Sequence, residues 1–239
     1  MENTPIGQIV ANDQRTFRVF EHYNIDFYNK GKRSLREAAA ENETALPELL
    51  SALEKAKAQT PETATDFNSW PLDELANYIV KTHHHYANEQ MQEIKPYLEK
   101  LGEAYGKEQP ELLDLKELFG IVSGEIAVHQ KKEELQLFPF IRRMADAQKN
   151  NKEFVAPPLT KSAENPVNML THDHQEQGKA FETIRTLTRN YTPAEDALGA
   201  YKKALLMLQE FESNLHQHLH LENNILFPKA LVLEKELKQ

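Results

Sequence analysis

The sequence predicts an all-α fold, a four-helix up-down bundle preceded by a small helical N-terminal domain. Three observations carry that prediction. Glycine is scarce, at 8 of 239 residues, while the strong helix formers Ala, Leu, Glu, Lys and Gln dominate. Runs of β-branched residues are almost absent. Four long segments beyond residue 68 place apolar residues at helical spacing. Short links join the segments within each pair and a long one separates the pairs, the connectivity of two packed helical hairpins.

Residues 1–57 read as a small domain of short helices. Asn12 or Asp13 can cap a segment ending near Tyr23, and Ser34 with Glu37 forms a capping-box pattern opening a helix through Glu41. A further helix is expected over 46–57. Residues 58–68 are polar, contain Pro61 and carry no helical stripe, so they read as a linker ahead of a bundle spanning 69–239. Helix 1 is expected over 69–101, with Ser69 as N-cap and Pro71 in the first turn. Helix 2 is expected over 110–148, and the Pro- and Lys-rich stretch after it, Pro158 included, reads as loop. Helix 3 is expected over 166–190. Thr192, Pro193 and Glu195 then supply the cap, first-turn proline and capping-box acid of helix 4, which runs to the end of the chain apart from a break at Pro228.

Lys and Arg total 28 against 37 Asp and Glu, a net charge of −9, with no basic block; neither nucleic acid nor an anionic membrane is expected as a partner. No secretory leader opens the chain and no apolar run approaches the roughly 18 residues of a membrane span, so the expected location is cytoplasmic. There is no cysteine, which excludes disulfides, thiolate metal sites and cysteine nucleophiles.

One repeat selects the functional candidates. His129 to Pro139 and His218 to Pro228 both reduce to H-x-x-x-E-x-x-x-L-F-P, at an offset of 89 residues. The same offset aligns the apolar stripes ahead of them, Phe119, Val122 and Ile126 with Leu208, Phe211 and Leu215. In helix 4 the stripe passes through His218 and Glu222 at the spacing of a bundle seam. His216 and His220 lie about 200° away and read as surface or outer residues.

Burying an unpartnered polar pair costs several kcal/mol. A lone His–Glu pair can satisfy itself as an ion pair, but two identical pairs facing one another are most simply satisfied by a metal, and i,i+4 residues can bind it as one unit. On helix 1 the stripe through Val80, Ala87 and Met91 passes through His84, whereas His85 has polar neighbours and His83 is intermediate. On helix 3 the stripe through Leu170 and Phe181 passes through His174 and leaves His172 among polar residues.

The predicted site is therefore His84, His129, Glu133, His174, His218 and Glu222. Four imidazoles and two carboxylates exceed what one tetrahedral zinc needs and suit two metals bridged by the glutamates, with iron or manganese favoured and zinc compatible. Open positions would accept a small diatomic (O2 or NO) or peroxide. Glu125 is a candidate outer carboxylate or a solvated residue, and Glu134 reads as solvated. A metal-free bundle is the competing reading of the same residues.

The stretches HLHLENNILFPKA, HQKKEELQLFPFI and THDHQEQG resemble the hemerythrin-like (HHE cation-binding) family, and more narrowly its iron–sulfur cluster repair di-iron proteins. The resemblance covers residues 69–235. The N-terminal part is similar to the small domain often fused to such proteins, through Ile25-Asp26-Phe27 and Gly31 to Leu35. Where that domain usually has a cysteine pair, this sequence has Tyr28-Asn29, so a thiol role cannot operate there.

The resemblance implies a hemerythrin-like fold and a centre of two non-haem Fe ions with carboxylate or oxo bridges. It also implies a role in repairing clusters damaged by nitric oxide or oxidants, with iron–sulfur proteins as clients. The alternative it leaves is reversible binding or sensing of O2 or NO without repair. A redox enzyme is a third class, for which no flavin or nicotinamide motif is visible. A dimer is compatible with either of the first two.

Overall fold

A computed structural model describes residues 1–58, 65–157, 160–195 and 197–238. Most of the linker expected over 58–68, with Pro61, and the loop residue Pro158 lie outside the described residues. Among the described residues every regular element is a helix, and the only extended pairing is an isolated bridge between Pro5 and Ser34.

The α-helices are α1 (Ile6–Asn12), α2 (Phe17–His22), α3 (Leu35–Glu41), α4 (Leu46–Ala58), α5 (Leu72–Tyr78), α6 (His85–Tyr105), α7 (Glu111–Lys132), α8 (Phe138–Lys149), α9 (Glu164–Leu187), α10 (Gly199–Leu221) and α11 (Phe227–Leu237). Three π-helical segments, Ile79–His84, Glu133–Leu137 and Glu222–Leu226, join α5 to α6, α7 to α8 and α10 to α11 without a break.

Local chemistry explains several of these boundaries. The Asp13 side chain accepts from the Arg15 backbone and opens a 3-10 turn ahead of α2. Both halves of the Ser34–Glu37 capping box form at the start of α3.

Three expectations need correction. Ser69 does not cap helix 1; its hydroxyl donates to the Asp66 carbonyl inside a 3-10 turn, and α5 begins after Pro71. Helix 4 does not start at Thr192. Arg189, Asn190 and Tyr191 take left-handed φ values of 51°, 55° and 58°, turning Tyr191 inward so that its buried hydroxyl donates to Glu212 at 2.8 Å, and α10 opens only at Gly199.

The break expected at Pro228, finally, is absent, and the helix runs through it as helix 2 runs through Pro139. Pro139 and Pro228 lack an N–H, and the π turn just before each widens the ladder, with the Phe138 N–H reaching the Glu133 carbonyl and that of Phe227 reaching Glu222.

The chain divides into two compact units. One comprises Tyr78–Pro139 and Asn165–Leu215 and contains four helical segments, drawn from α6, α7, α9 and α10 with the first two π turns. Short connections make α6 and α7 antiparallel neighbours. Its apolar centre is built on Phe211, which meets Phe119 edge-on at 5.5 Å and stacks on Phe181 at 5.7 Å, all three buried.

The other unit comprises Met1–Asn77, Phe140–Glu164 and His216–Gln239. Here Phe20, Phe27, Leu35, Leu49 and Leu53 form the N-terminal core. The C-terminal helix is tied down by Lys229, which donates to the carbonyls of Asn68 and Trp70, and by Glu234, which accepts from the Ala163 N–H and the Ser162 hydroxyl.

Candidate metal centre

In the four-helix unit the last residue of the first π segment, His84, is 1% exposed and places Nε2 3.3 Å from Glu133 Oε2. His129 places its own Nε2 3.3 Å from the other oxygen, Glu133 Oε1. Glu133 itself is fully buried. One carboxylate thus spans two imidazoles, one oxygen to each. His174, also fully buried, brings its Nε2 to 2.9 Å from His129 Nε2. Ligand atoms of His129, Glu133 and His174 all lie within 4.8 Å of one another.

The far nitrogens of two of these rings are held by carboxylates. Asp173 Oδ2 meets His129 Nδ1 at 3.3 Å, and Glu134 Oε1 meets His84 Nδ1 at 3.0 Å. That leaves Nε2 of each ring for the centre, the tautomer a metal-binding histidine needs. The His129 contact, reinforced by Lys132, holds the Asp173 carboxyl far below the usual carboxylate range despite its partial burial. Burial raises the Glu134 carboxyl, but hydrogen bonds from Lys131 and His84 outweigh it and leave the group below its ordinary value. Glu134 is therefore not the solvated residue expected. It orients His84, and Asp173, which sequence reasoning passed over, orients His129. Their sequence signal is slight, a carboxylate next to a seam residue.

In the other unit His218 and Glu222 are both buried, and Nε2 of one lies 3.0 Å from Oε1 of the other. His216 and His220, expected as surface or outer residues, are not at the surface: they are 7% and 2% exposed. The His216 ring stacks on Tyr28 at 4.0 Å and its Nδ1 lies 3.3 Å from Glu21 Oε1. His220 packs against Phe27 at 5.6 Å, and its Nδ1 accepts from Asn224 Nδ2 at 3.0 Å. Burial pushes the His220 imidazole down to about 3, so it is neutral at physiological pH. The N-terminal segment covers the helix face that carries both rings, which helical periodicity alone cannot reveal.

Among the remaining candidates, His83 is buried with Nδ1 3.1 Å from Asn214 Oδ1, and His85 is exposed beside Glu89. His172 and Glu125 are exposed and line a groove of about 680 Å3 between α7 and α9.

The donor set fits a cation. Two imidazole Nε2 atoms at 2.9 Å leave room for one hydrogen between them, and a fully buried carboxylate facing two rings is costly without positive charge. Mixed nitrogen and carboxylate donors suit iron, manganese or zinc.

A helical protein with a buried cluster of histidines around a shared carboxylate belongs to the class that binds a cation within a helix bundle. Comparison with known proteins makes the class specific. The model of the hemerythrin HHE cation-binding domain matches residues 75–230, and that of a domain of unknown function (DUF542) matches residues 2–57.

The iron–sulfur cluster repair protein YtfE of Pectobacterium carotovorum subsp. carotovorum is 30% identical over 226 residues, covering 95% of this chain and 96% of the relative. Its counterparts from Edwardsiella ictaluri, 30% identical over 227 residues, and Yersinia pestis, 29% identical over 232 residues, are matched over similar shares, 95% and 96% of this chain and 96% and 97% of their own. The chain belongs to the hemerythrin HHE cation-binding family.

Proposed function

We propose that the protein is a non-haem di-iron protein that repairs iron–sulfur clusters damaged by nitric oxide or oxidative stress, by supplying iron from its own centre. The observation that carries the reading is the fully buried Glu133 carboxylate, which turns one oxygen to His84 and the other to His129 and would thereby be available to two metals. The 89-residue repeat makes Glu222 and His218 the counterparts of Glu133 and His129, so the proposed ligands are His84, His129, Glu133, His174, His218 and Glu222. Near-full-length similarity to proteins named for cluster repair supports the function.

When bound, the iron pair would supply open coordination positions for NO, O2 or peroxide and a pool of exchangeable iron. This chain's residues would set how firmly that iron is held. Asp173 and Glu134 fix the rings of His129 and His84, and the apolar layer around Phe119, Phe181 and Phe211 excludes water from that part of the bundle. With Tyr28-Asn29 in the place of a cysteine pair, transfer of iron would rest on histidine and carboxylate ligands alone. The proposed division is an N-terminal domain over 1–57 and a metal-binding bundle over 69–239, acting in the cytoplasm on iron–sulfur protein clients.

The test is anaerobic incubation of the 57Fe-loaded protein with an NO-damaged [4Fe–4S] enzyme. Repair predicts recovery of the client's activity together with label in its cluster. Reversible binding of NO with all label retained would instead assign the protein to ligand sensing.

A further inference from the structure

The π segment Glu222–Leu226 opens with a proposed ligand and continues directly into Asn223 and Asn224. Both asparagines hold the N-terminal domain. Asn223 Nδ2 donates to the Tyr28 carbonyl at 3.1 Å and to Asn29 Oδ1 at 3.2 Å. Asn224 Nδ2 donates to the Phe27 carbonyl at 3.0 Å and to His220 Nδ1 at 3.0 Å.

The Asn224 side chain enters a slot between two glycines. A Cβ at Gly7 would stand 2.5 Å from Asn224 Oδ1, and one at Gly31 would have still less room. Gly7 and Gly31 are themselves joined, the N–H of one donating to the carbonyl of the other at 2.9 Å. The Tyr28 ring stacks on His216 two residues before His218 on the same helix. The segment 27–29 and the glycine slot therefore grip the helix both before His218 and after Glu222. π turns inside α-helices are rare and concentrate at functional sites, and this one places Glu222 between the two gripped stretches.

We infer that Asn224 is a positioning residue for Glu222, and that in this chain the N-terminal domain is a latch that slows loss of iron from the centre. This rests on the reading of His218 and Glu222 as iron ligands. It also gives Tyr28-Asn29 a task suited to their chemistry. The Tyr28 ring stacks, and the Asn29 side chain accepts a hydrogen bond, where the related domains usually carry thiols.

The test measures transfer of iron from the full-length, iron-loaded protein to a ferrous chelator at a temperature where every variant is folded by circular dichroism. Asn224→Ala removes the latch from the bundle side, and Gly7→Ala displaces the same side chain from the N-terminal side without touching a ligand. Each is expected to release iron about ten-fold faster than wild type, the scale on which groups behind metal ligands act. The double variant should be no faster than Asn224→Ala, because both changes undo one contact.

Glu234→Ala, which lowers stability by deleting the acceptor of Ala163 and Ser162, should release iron at the wild-type rate. Wild-type rates in both Asn224→Ala and Gly7→Ala, multiplying effects in the double variant, or equally fast release by Glu234→Ala would overturn the latch. A wild-type protein that takes up no iron would overturn the metal reading itself, a separate outcome seen before any variant is compared.

Discussion

His129 and His174 hold their Nε2 atoms 2.9 Å apart with both rings buried. Without a cation, one of the two must donate to the other, and the Glu133 carboxylate between His129 and His84 remains dependent on imidazole protons. Bound metal would take these nitrogen and carboxylate lone pairs as ligands in place of shared protons. Metal should therefore stabilise the folded chain. At a free-metal concentration 100-fold above Kd the gain is about 2.7 kcal/mol. For a protein of this size that corresponds to a rise in Tm of roughly 5–10 °C, reversed by a chelator. Calorimetry of apo and iron-loaded protein checks this, and an unchanged Tm would count against a built site.

The histidines of helix α10 should separate by role. His218→Ala should lose iron. His216→Ala and His220→Ala should keep it at first loading but unfold more easily, by about 1–3 kcal/mol each, because they remove buried rings that pack on Tyr28 and Phe27. Denaturant titration paired with metal analysis of the three variants decides the matter. Iron loss in His220→Ala equal to that in His218→Ala would refute the distinction.

Asp173 orients His129 without being a proposed ligand. Asp173→Asn should leave the helical content unchanged and weaken iron binding by about 10–100-fold, as loss of a group behind a metal-bound histidine does elsewhere. Competition with a chelator of known affinity gives the number, and an unaltered Kd would reduce Asp173 to an ordinary surface partner of Lys132.

How much of this was legible in advance follows from which interactions are local in the chain. The capping box at Ser34 and the cap at Asp13 were readable because each is made within a few residues. The all-α fold was readable because the periodic stripes are long. The repeat singles out His129, Glu133, His218 and Glu222 from the sequence alone, and all four are buried.

Glu134 against His84 and Asp173 against His129 were hidden, since each contact is 44 or more residues distant in sequence. The burial of His216 and His220 was hidden for the same reason, because periodicity reports one face of a helix and says nothing of a domain laid on another. The π turns were illegible because proline signals a lost donor, and only packing decides whether the chain breaks or widens its ladder.

Glu234 provides a pH-dependent prediction. Burial raises its carboxyl, but hydrogen bonds from Lys238, the Ala163 N–H and the Ser162 hydroxyl prevail and bring it below the ordinary 4.5. A depressed carboxylate contributes stability that is present above the unfolded value and is lost as pH falls through the folded one. Thermal melts of wild type and Glu234→Gln should thus differ at pH 7, by about 1–2 kcal/mol, and converge below pH 4. A gap that persists at low pH would show that the contacts do not depend on charge.

The central claim is a centre of two irons whose bridging carboxylates are Glu133 and Glu222. Iron per chain in anaerobically reconstituted wild type, Glu133→Ala and Glu222→Ala tests it most directly. The account predicts two irons per chain in wild type and no more than one in either variant. Full wild-type iron in both variants, or a wild type that holds none, would contradict it.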